Sequence, residues 1–292
     1  MFDEVPLDEV VEYFDWSPFF WSWELKGKYP QILEREGVGE QATALFEDTA
    51  PILEKIIEEK LFRCRAAIGL WPAHSVGDDV VIHADENRDS PVATFHFLRR
   101  QQEILSEKVQ YCLADYVAAK DSGVADYLGA FAVTAGFEVD SYAKILEDAG
   151  DDYTSIIVKA LGDRFAEAMA EYMHSKVREW WGFGENEALS NEDLIDEKYQ
   201  GIRPASGYPS QPDHTEKDEI WKALDVEANT GIQLTESRAM NPAASVSGLY
   251  FSHPESKYFN LGRIGPDQVE DYARRKGWSI EEAEKWLSPN LG

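Results

Sequence analysis

Apolar positions along the chain recur at two spacings, and each spacing predicts one type of element. Spacings of three and four predict helices over residues 7–16, 39–61, 150–181, 191–198 and 215–228, and two short helices that begin at Pro266 and Ser279. Pro51 interrupts the second of these regions, which is therefore either one kinked helix or two consecutive helices. The aromatic segment DWSPFFWSWELKGKYP, at residues 15–30, predicts a plug that packs against the body of the protein.

Short apolar runs and period-two alternation predict strands. Five precede the long helix, at residues 65–73, 78–85, 91–98, 111–118 and 126–136, and a strand pair follows it, near 245–254 and 256–264. Strands and helices occur in blocks rather than in alternation. This order predicts a single α+β domain with a largely antiparallel sheet of at least five strands, rather than a doubly wound α/β fold. A division into two domains near residues 182–200 stays open.

Charge and cysteine content narrow the classes of partner. The chain of 292 residues carries 55 Asp and Glu against 28 Lys and Arg, a net charge of −27. A field of this sign repels nucleic acid and anionic membranes, so neither is expected as a partner. No run of about 18 apolar residues and no basic leader occurs, which makes the cytoplasm the expected location. Cys64 and Cys112 match no metal or redox spacing and are predicted to be reduced core thiols.

The motifs of common enzymes are missing from the sequence. The chain has no G-x-G-x-x-G turn, no phosphate-binding loop and no G-x-S-x-G elbow. The long helix carries Glu167, Glu171 and His174, and Glu171-x-x-His174 places two metal-binding side chains on one helical face. No second Glu-x-x-His occurs to complete such a site. Two alternatives to a metal site stay open. These side chains form an ion-paired or solvated face, or one of the carboxylates serves a non-metal ligand.

Two further places hold candidate binding residues. Asp15 lies inside an aromatic run, where a carboxylate needs either a partner in the fold, such as a helix N-terminus, or an ammonium group from a ligand. The segment YQGIRPASGYPSQPDHTEK, at residues 199–217, surrounds Arg203 with three prolines and two glycines. Such a loop is predicted to be stiff and to present a planar guanidinium suited to a carboxylate. A structural turn is the alternative interpretation.

Several long motifs resemble one known family. The strings LDEVVEYFDWSPFFWSWELKGKYP, GDDVVIH, LRRQQ, CLADYVA, DYLGAFAVTAG, DDYTSIIVKAL, YQGIRPASGYPSQPDHTEK, LTESRAM and ASVSGLYFSHPESKYF closely resemble the C-terminal activation domain of cobalamin-dependent methionine synthase. The resemblance runs from about residue 3 to residue 291. It implies that residues 1–292 form one activation domain, a single C-shaped α+β unit with a bent, largely antiparallel sheet flanked by helices.

The resemblance also implies a function. Domains of this family bind S-adenosylmethionine, and the full enzyme, a methyltransferase, uses this ligand to remethylate its cobalamin after oxidation to the inactive cob(II) form. The electron comes from flavodoxin or a similar flavoprotein. The chain has no cobalamin-binding D-x-H-x-x-G pattern, so cobalamin is expected on a partner domain, in cis or in trans. We therefore expect either an excised domain of a longer enzyme or a separately encoded subunit.

The resemblance further implies which residues contact S-adenosylmethionine. The positions that match family contacts are Asp15, Glu167, Arg203, Ala205, Tyr208, Tyr258 and Phe259. Their implied roles are that Arg203 holds the methionine carboxylate, acidic and backbone groups receive the ammonium and sulfonium end, and aromatic rings flank the rest. No residue is implied to be catalytic and none to bind a metal.

Three positions depart from the family pattern. Ser206 replaces a usual proline, which would loosen the loop, Asn241 stands where related enzymes often have Trp, and Phe259 replaces the second tyrosine of a pair. These departures leave an alternative open, in which the chain has kept the fold, lost the ligand, and serves as a docking scaffold for a cobalamin protein or flavoprotein.

Overall fold

A 13-residue strand and a 30-residue helix organise the fold. The computed structural model describes residues 1–102, 109–185 and 187–292. Its strands are β1 (Phe2–Val5), β2 (Cys64–Val76), β3 (Asp79–His83), β4 (Pro91–His96), β5 (Asp126–Thr134), β6 (Gln233–Leu234), β7 (Met240–Asn241) and β8 (Ser245–Tyr250). Its α-helices are α1 (Leu7–Val11), α2 (Ser17–Ser22), α3 (Gly39–Glu58), α4 (Glu138–Asp148), α5 (Asp152–Trp181), α6 (Asn191–Ile195), α7 (Glu216–Leu224), α8 (Val226–Thr230), α9 (Pro266–Lys276) and α10 (Ile280–Leu287).

The described strands form one six-stranded antiparallel sheet and a two-stranded ribbon, β6–β7. The order in the large sheet is β4-β3-β2-β5-β8, and β1 pairs with the start of β2. Strand β2 is long enough to pair with β5 along residues 65–73 and with β3 along residues 73–76. The predicted α+β class and antiparallel sheet are confirmed.

The two faces of the sheet are covered by different helices. On β5, Phe131 and Val133 join the core that contains α5, whereas Ala130 and Ala132 join the core that contains α7 and α8. This alternation is the period-two pattern of a strand buried on both sides. A third core joins α9 to α10. Helix α5 therefore lies on one face of the sheet, where its inward side can form a wall of a site.

The long helix agrees with its prediction. The Asp151 carboxylate accepts a hydrogen bond from the Thr154 N–H at 3.1 Å, so it caps the helix as a residue of this type does. Gly182, with a φ of 92°, ends the helix. Within the described ranges, no helix combines the length and apolar character that a membrane span requires. Cys64 and Cys112 are free and buried, as predicted.

Two predicted strands are wrong. Residues 111–118 contain a 3-10 helix, Leu113–Tyr116, because the Asp115 carboxylate accepts the Cys112 N–H at 3.0 Å and pairs with Arg99. Such local side-chain bonds compete with sheet pairing.

The second wrong strand is the one predicted near residues 256–264. This segment forms no strand and contains Gly262 with a φ of 71°; its Leu261 N–H donates to the Pro209 carbonyl, in the loop before α7, at 2.9 Å. Strand β8 pairs with β5 instead.

Helix boundaries differ from the sequence prediction in four places. The first helix ends at Val11, and Gly39–Glu58 is one helix that includes Pro51. The helix predicted near 191–198 ends at Ile195, and the one predicted over 215–228 divides at Asp225, whose φ is 45°. Both predicted C-terminal helices are present.

Segment 182–200 packs against the body of the domain and is not a linker between two domains. Asn191 Nδ2 donates to the Phe14 carbonyl at 3.2 Å, and Leu194 is buried. Asn186, within this segment, lies outside the described residues.

Candidate ligand-binding site

The loop at residues 199–217 takes its shape from two glycines. Gly201 has a φ of 92°, and a Cβ there would come within 2.5 Å of the Phe251 carbonyl oxygen. Gly207 has a φ of 99°, and a Cβ there would meet the His214 ring at 2.1 Å. Both positions therefore require glycine, as the sequence predicted, for positive φ and for close approach.

The middle of this loop is a tight turn. The Tyr208 N–H donates to the Ala205 carbonyl at 3.3 Å, and the Gly207 N–H donates to the Gln211 carbonyl at 2.8 Å. Gly207 is the third residue of the turn, where a positive φ is the mark of type II geometry. Ser206, the second residue, is buried, and within the described part of the chain its hydroxyl has no hydrogen-bond partner. The turn keeps its form without the proline usual in the family.

A cavity of about 510 Å³ lies between this loop, α5 and the segment that follows β8. Phe131 and Val246, from the sheet, contribute to its lining. Six of the seven predicted contact residues line it, namely Glu167, Arg203, Ala205, Tyr208, Tyr258 and Phe259. Its volume and its mixture of aromatic and charged groups are typical of pockets for small organic ligands.

Asp15, the seventh residue, lines an adjoining cavity of about 320 Å³. Glu167, Glu197 and Arg203 line both cavities, so the two meet along these side chains. One oxygen of the Asp15 carboxylate accepts the Ser17 N–H at 2.8 Å, next to the start of α2. The expectation of a partner at a helix N-terminus is therefore confirmed. The expectation that Asp15 also receives an ammonium group stays a prediction.

Arg203 makes a set of contacts inside the protein. Its Nη2 lies 2.7 Å from Glu171 Oε2, and its Nη1 donates to the Tyr199 hydroxyl and lies 3.4 Å from His174 Nδ1. The backbone N–H of Arg203 donates to the Tyr258 hydroxyl oxygen at 3.0 Å. Arg203 thus lines both cavities and also bonds to neighbouring side chains, of which Glu171 lines the smaller cavity.

The titration of these groups follows from burial. Burial, the largest single effect, disfavours the charged guanidinium, but the Glu171 carboxylate together with the Tyr199 and Tyr258 hydroxyls outweighs it, and the pKa of Arg203 is raised. Burial raises the pKa of Glu171, against the opposing effect of Arg203 and Arg178. His174 is fully buried beside both arginines, so its pKa lies far below its ordinary value and the ring is neutral. A neutral ring whose Nδ1 faces a guanidinium donor carries its proton on Nε2.

The long helix does not present Glu167, Glu171 and His174 in the way that the metal hypothesis would require. Glu171 and His174 both face the guanidinium of Arg203; Glu167 lines both cavities, and Glu171 lines the smaller one. Among the residues with described positions, no cluster of three His, Cys, Asp or Glu side chains could hold a metal ion. Glu171 belongs to an ion-paired face, which was one of the alternatives.

Glu197 was not predicted, although it lines both cavities. Burial raises the pKa of Glu197 and outweighs the opposing effect of Arg203. Its φ of 53° is unusual for a glutamate, and such a conformation has no signal in the sequence. Tyr199 could have been found, since it lies four residues before Arg203 in the loop motif.

The departures at Asn241 and Phe259 have different positions. Asn241 lies on the β6–β7 ribbon, opposite Gln233, and is exposed. Phe259 is buried and packs against Tyr111, with ring centroids 5.8 Å apart. An apolar ring fits this neighbourhood without a hydroxyl.

The fold and the cavities together define an α+β domain with a pocket sized for a small organic ligand, and the described residues form neither a dinucleotide fold nor a phosphate loop. Residues 6–277 match the model of the family described as vitamin B12 dependent methionine synthase, activation domain, and the chain belongs to this family. It is also similar to a solved structure, a crystal structure of the MetH reactivation domain bound to AdoHcy. The two chains are 56% identical with a TM-score of 0.96, over 99% of this chain and 89% of the other.

Proposed function

We propose that this domain binds S-adenosylmethionine in the two adjoining cavities and supports reductive remethylation of an oxidised cobalamin within methionine synthase. One observation carries the proposal: the cavity of about 510 Å³ gathers six of the seven implied contact residues, and the adjoining cavity holds Asp15. The similar MetH reactivation domain, which was crystallised with AdoHcy, supports the same ligand class.

The residues suit the parts of the ligand. Arg203 offers a planar donor fork for the methionine carboxylate, and Asp15 offers an acceptor for the ammonium group. Glu167 adds negative charge near a sulfonium, and Ala205 adds backbone groups from a rigid turn. The rings of Tyr208, Tyr258 and Phe259 give flat apolar and cation-binding surface for the remainder.

The chemistry needs little from this chain beyond orientation. A sulfonium is already an activated methyl donor, so no general base is required. The nucleophile would come from a cobalamin held by a partner domain, after one-electron reduction by flavodoxin or a similar flavoprotein. Correct orientation of the two reactants contributes up to about 7–11 kcal/mol to such a step. We therefore propose a methyltransferase role for the holoenzyme and a substrate-holding role for this domain.

Titration calorimetry with S-adenosylmethionine tests the proposal. We expect binding to the chain, weakened by about 1.5–3 kcal/mol in Arg203→Ala through loss of a charged hydrogen bond. Arg274→Ala is the matched control, since it removes an exposed arginine on α9, outside both cavities. Absence of binding by both the chain and the assembled holoenzyme would contradict the proposal. Normal docking of Arg203→Ala with no response to the ligand would favour the scaffold alternative.

A further inference from the structure

A row of four alternating charges leads from the loop after α5 to the ligand cavities. Glu187 accepts from Arg178 Nε at 2.9 Å, Arg178 Nη1 lies 3.9 Å from Glu171 Oε1, and Glu171 Oε2 lies 2.7 Å from Arg203 Nη2. The Arg178 side chain is 1% exposed and that of Glu171 9%. Only the last member of the row, Arg203, lines the larger cavity. Glu171 therefore lies between two guanidinium groups.

The contacts of Arg203 leave one edge of its guanidinium open. Its Nη1 serves the Tyr199 hydroxyl and His174 Nδ1, and one Nη2 hydrogen faces Glu171. A guanidinium has five N–H donors, so the Nε–H and the second Nη2 hydrogen remain. Among the described residues, no acceptor contacts Nε. These two hydrogens form the edge that binds a carboxylate in bidentate fashion.

The two arginines would repel each other without Glu171. Both approach the same ring, with Arg178 Cζ 4.2 Å and Arg203 Cζ 5.9 Å from the centre of Tyr199. Like charges this close in a site of low water content cost free energy unless a counter-charge lies between them. Removal of the carboxylate would therefore displace Arg203, the more exposed of the two.

We propose that Glu171 is a positioning residue for the ligand carboxylate: it fixes Arg203 so that the Nε–Nη2 edge of the guanidinium faces the cavity. This inference rests on the proposed function. Glu171 also lines the smaller cavity, and the contribution assigned to it here acts through Arg203 rather than through a contact in that cavity. The effect should therefore depend on whether the ligand has a carboxylate.

The test compares S-adenosylmethionine with decarboxylated S-adenosylmethionine, which lacks only that group. Calorimetry on the parent protein gives the ratio of the two dissociation constants. We expect Glu171→Ala to lower this preference about tenfold, chiefly by weaker binding of S-adenosylmethionine, the size of one charged hydrogen bond. Glu171→Gln keeps an acceptor oxygen for Nη2, and it should lower the preference by less than about threefold.

Tyr199→Phe provides a second variant if Glu171→Ala fails to fold. It keeps the ring below Arg178 and removes only the hydroxyl that holds Arg203 Nη1, so the preference should fall in the same direction. An equal loss of affinity for both ligands in these variants would show a merely structural role and overturn the proposal. Absence of binding of either ligand to the parent protein would overturn the proposed function as well, so the two failures are distinguishable.

Discussion

The hydroxyl of Tyr258 accepts a hydrogen bond from the backbone N–H of Arg203 at 3.0 Å. This bond ties the segment after β8 to the loop at residues 199–217, and both residues line the larger cavity. The wall of the cavity is thus held by a contact between two segments that are 55 residues apart in sequence.

Tyr258→Phe should loosen this wall. The variant leaves the Arg203 N–H without its partner, which costs about 0.5–1.5 kcal/mol in the free energy of unfolding. Urea unfolding measures this change. Tyr208→Phe is the matched control, because Tyr208 is 61% exposed and no bond to its hydroxyl occurs among the described residues. Equal stability of Tyr258→Phe and Tyr208→Phe would contradict the role of the bond.

Ser206→Pro should stabilise the protein. Proline is favoured at the second position of a type II turn, and the Ser206 hydroxyl that would be lost has no partner among the described groups. Reduced freedom of the unfolded chain should add about 0.4–1 kcal/mol to the free energy of unfolding. Thermal unfolding checks the sign. Gly207→Ala should act in the opposite direction, since its Cβ would strike the His214 ring, and a stabilised Gly207→Ala would refute the turn geometry.

Because Glu171 and Arg203 form an ion pair, we expect the effects of substitutions at the two positions on the free energy of unfolding to be non-additive. Arg203→Met leaves a buried carboxylate with Arg178, 3.9 Å away, and the Tyr199 hydroxyl as its neighbours, and loss of one partner of a buried pair costs about 3 kcal/mol. The double variant Glu171→Gln/Arg203→Met removes the stranded charge, so part of this loss should be recovered. Urea unfolding of the two single variants, the double variant and the parent forms the required cycle. A double variant no more stable than Arg203→Met would disprove the coupling.

His174 predicts a loss of stability in mild acid. Its pKa in the folded protein lies far below the value of about 6.5 in the unfolded chain, so the unfolded chain binds the proton more tightly. The folded state is therefore not penalised for its neutral His174 ring above about pH 6.5, and it loses stability as the pH falls below that value. The resulting decrease in the free energy of unfolding approaches about 1.4 kcal/mol per pH unit. The free energy of unfolding should therefore fall more steeply between pH 6.5 and 5 in the parent than in His174→Gln, and parallel profiles would exclude this effect.

Much of the architecture followed from the sequence because its signals are local. The cap at Asp151, the period of α5 and the apolar alternation of β5 each depend on neighbours in the chain. The prediction failed where a hydrogen bond from the backbone to a nearby side chain replaced strand pairing, as the bond to Asp115 does at the 3-10 helix. It also missed β1, a strand of only four residues that depends on β2 for its pairing.

The candidate site divides in a similar way. The shape of the loop was predictable, because Gly201 and Gly207 carry their conformational requirement in their identity. The cavity residues were implied by family resemblance. The pairing of Glu171 with Arg203 was not predictable, since residues 32 positions apart meet only when α5 and the loop pack together.

The dispersal of the site along the chain has a consequence for synthesis. The cavities draw on Asp15, on Glu167 in α5, on the loop around Arg203 and on Tyr258 near the C-terminal helices. A ribosome delivers these segments in that order, and the segment with Tyr258, which bonds to Arg203, follows β8, the partner of β5. A nascent chain therefore has no complete pocket until most of this domain has emerged, and ligand capture would report that all four segments have been made.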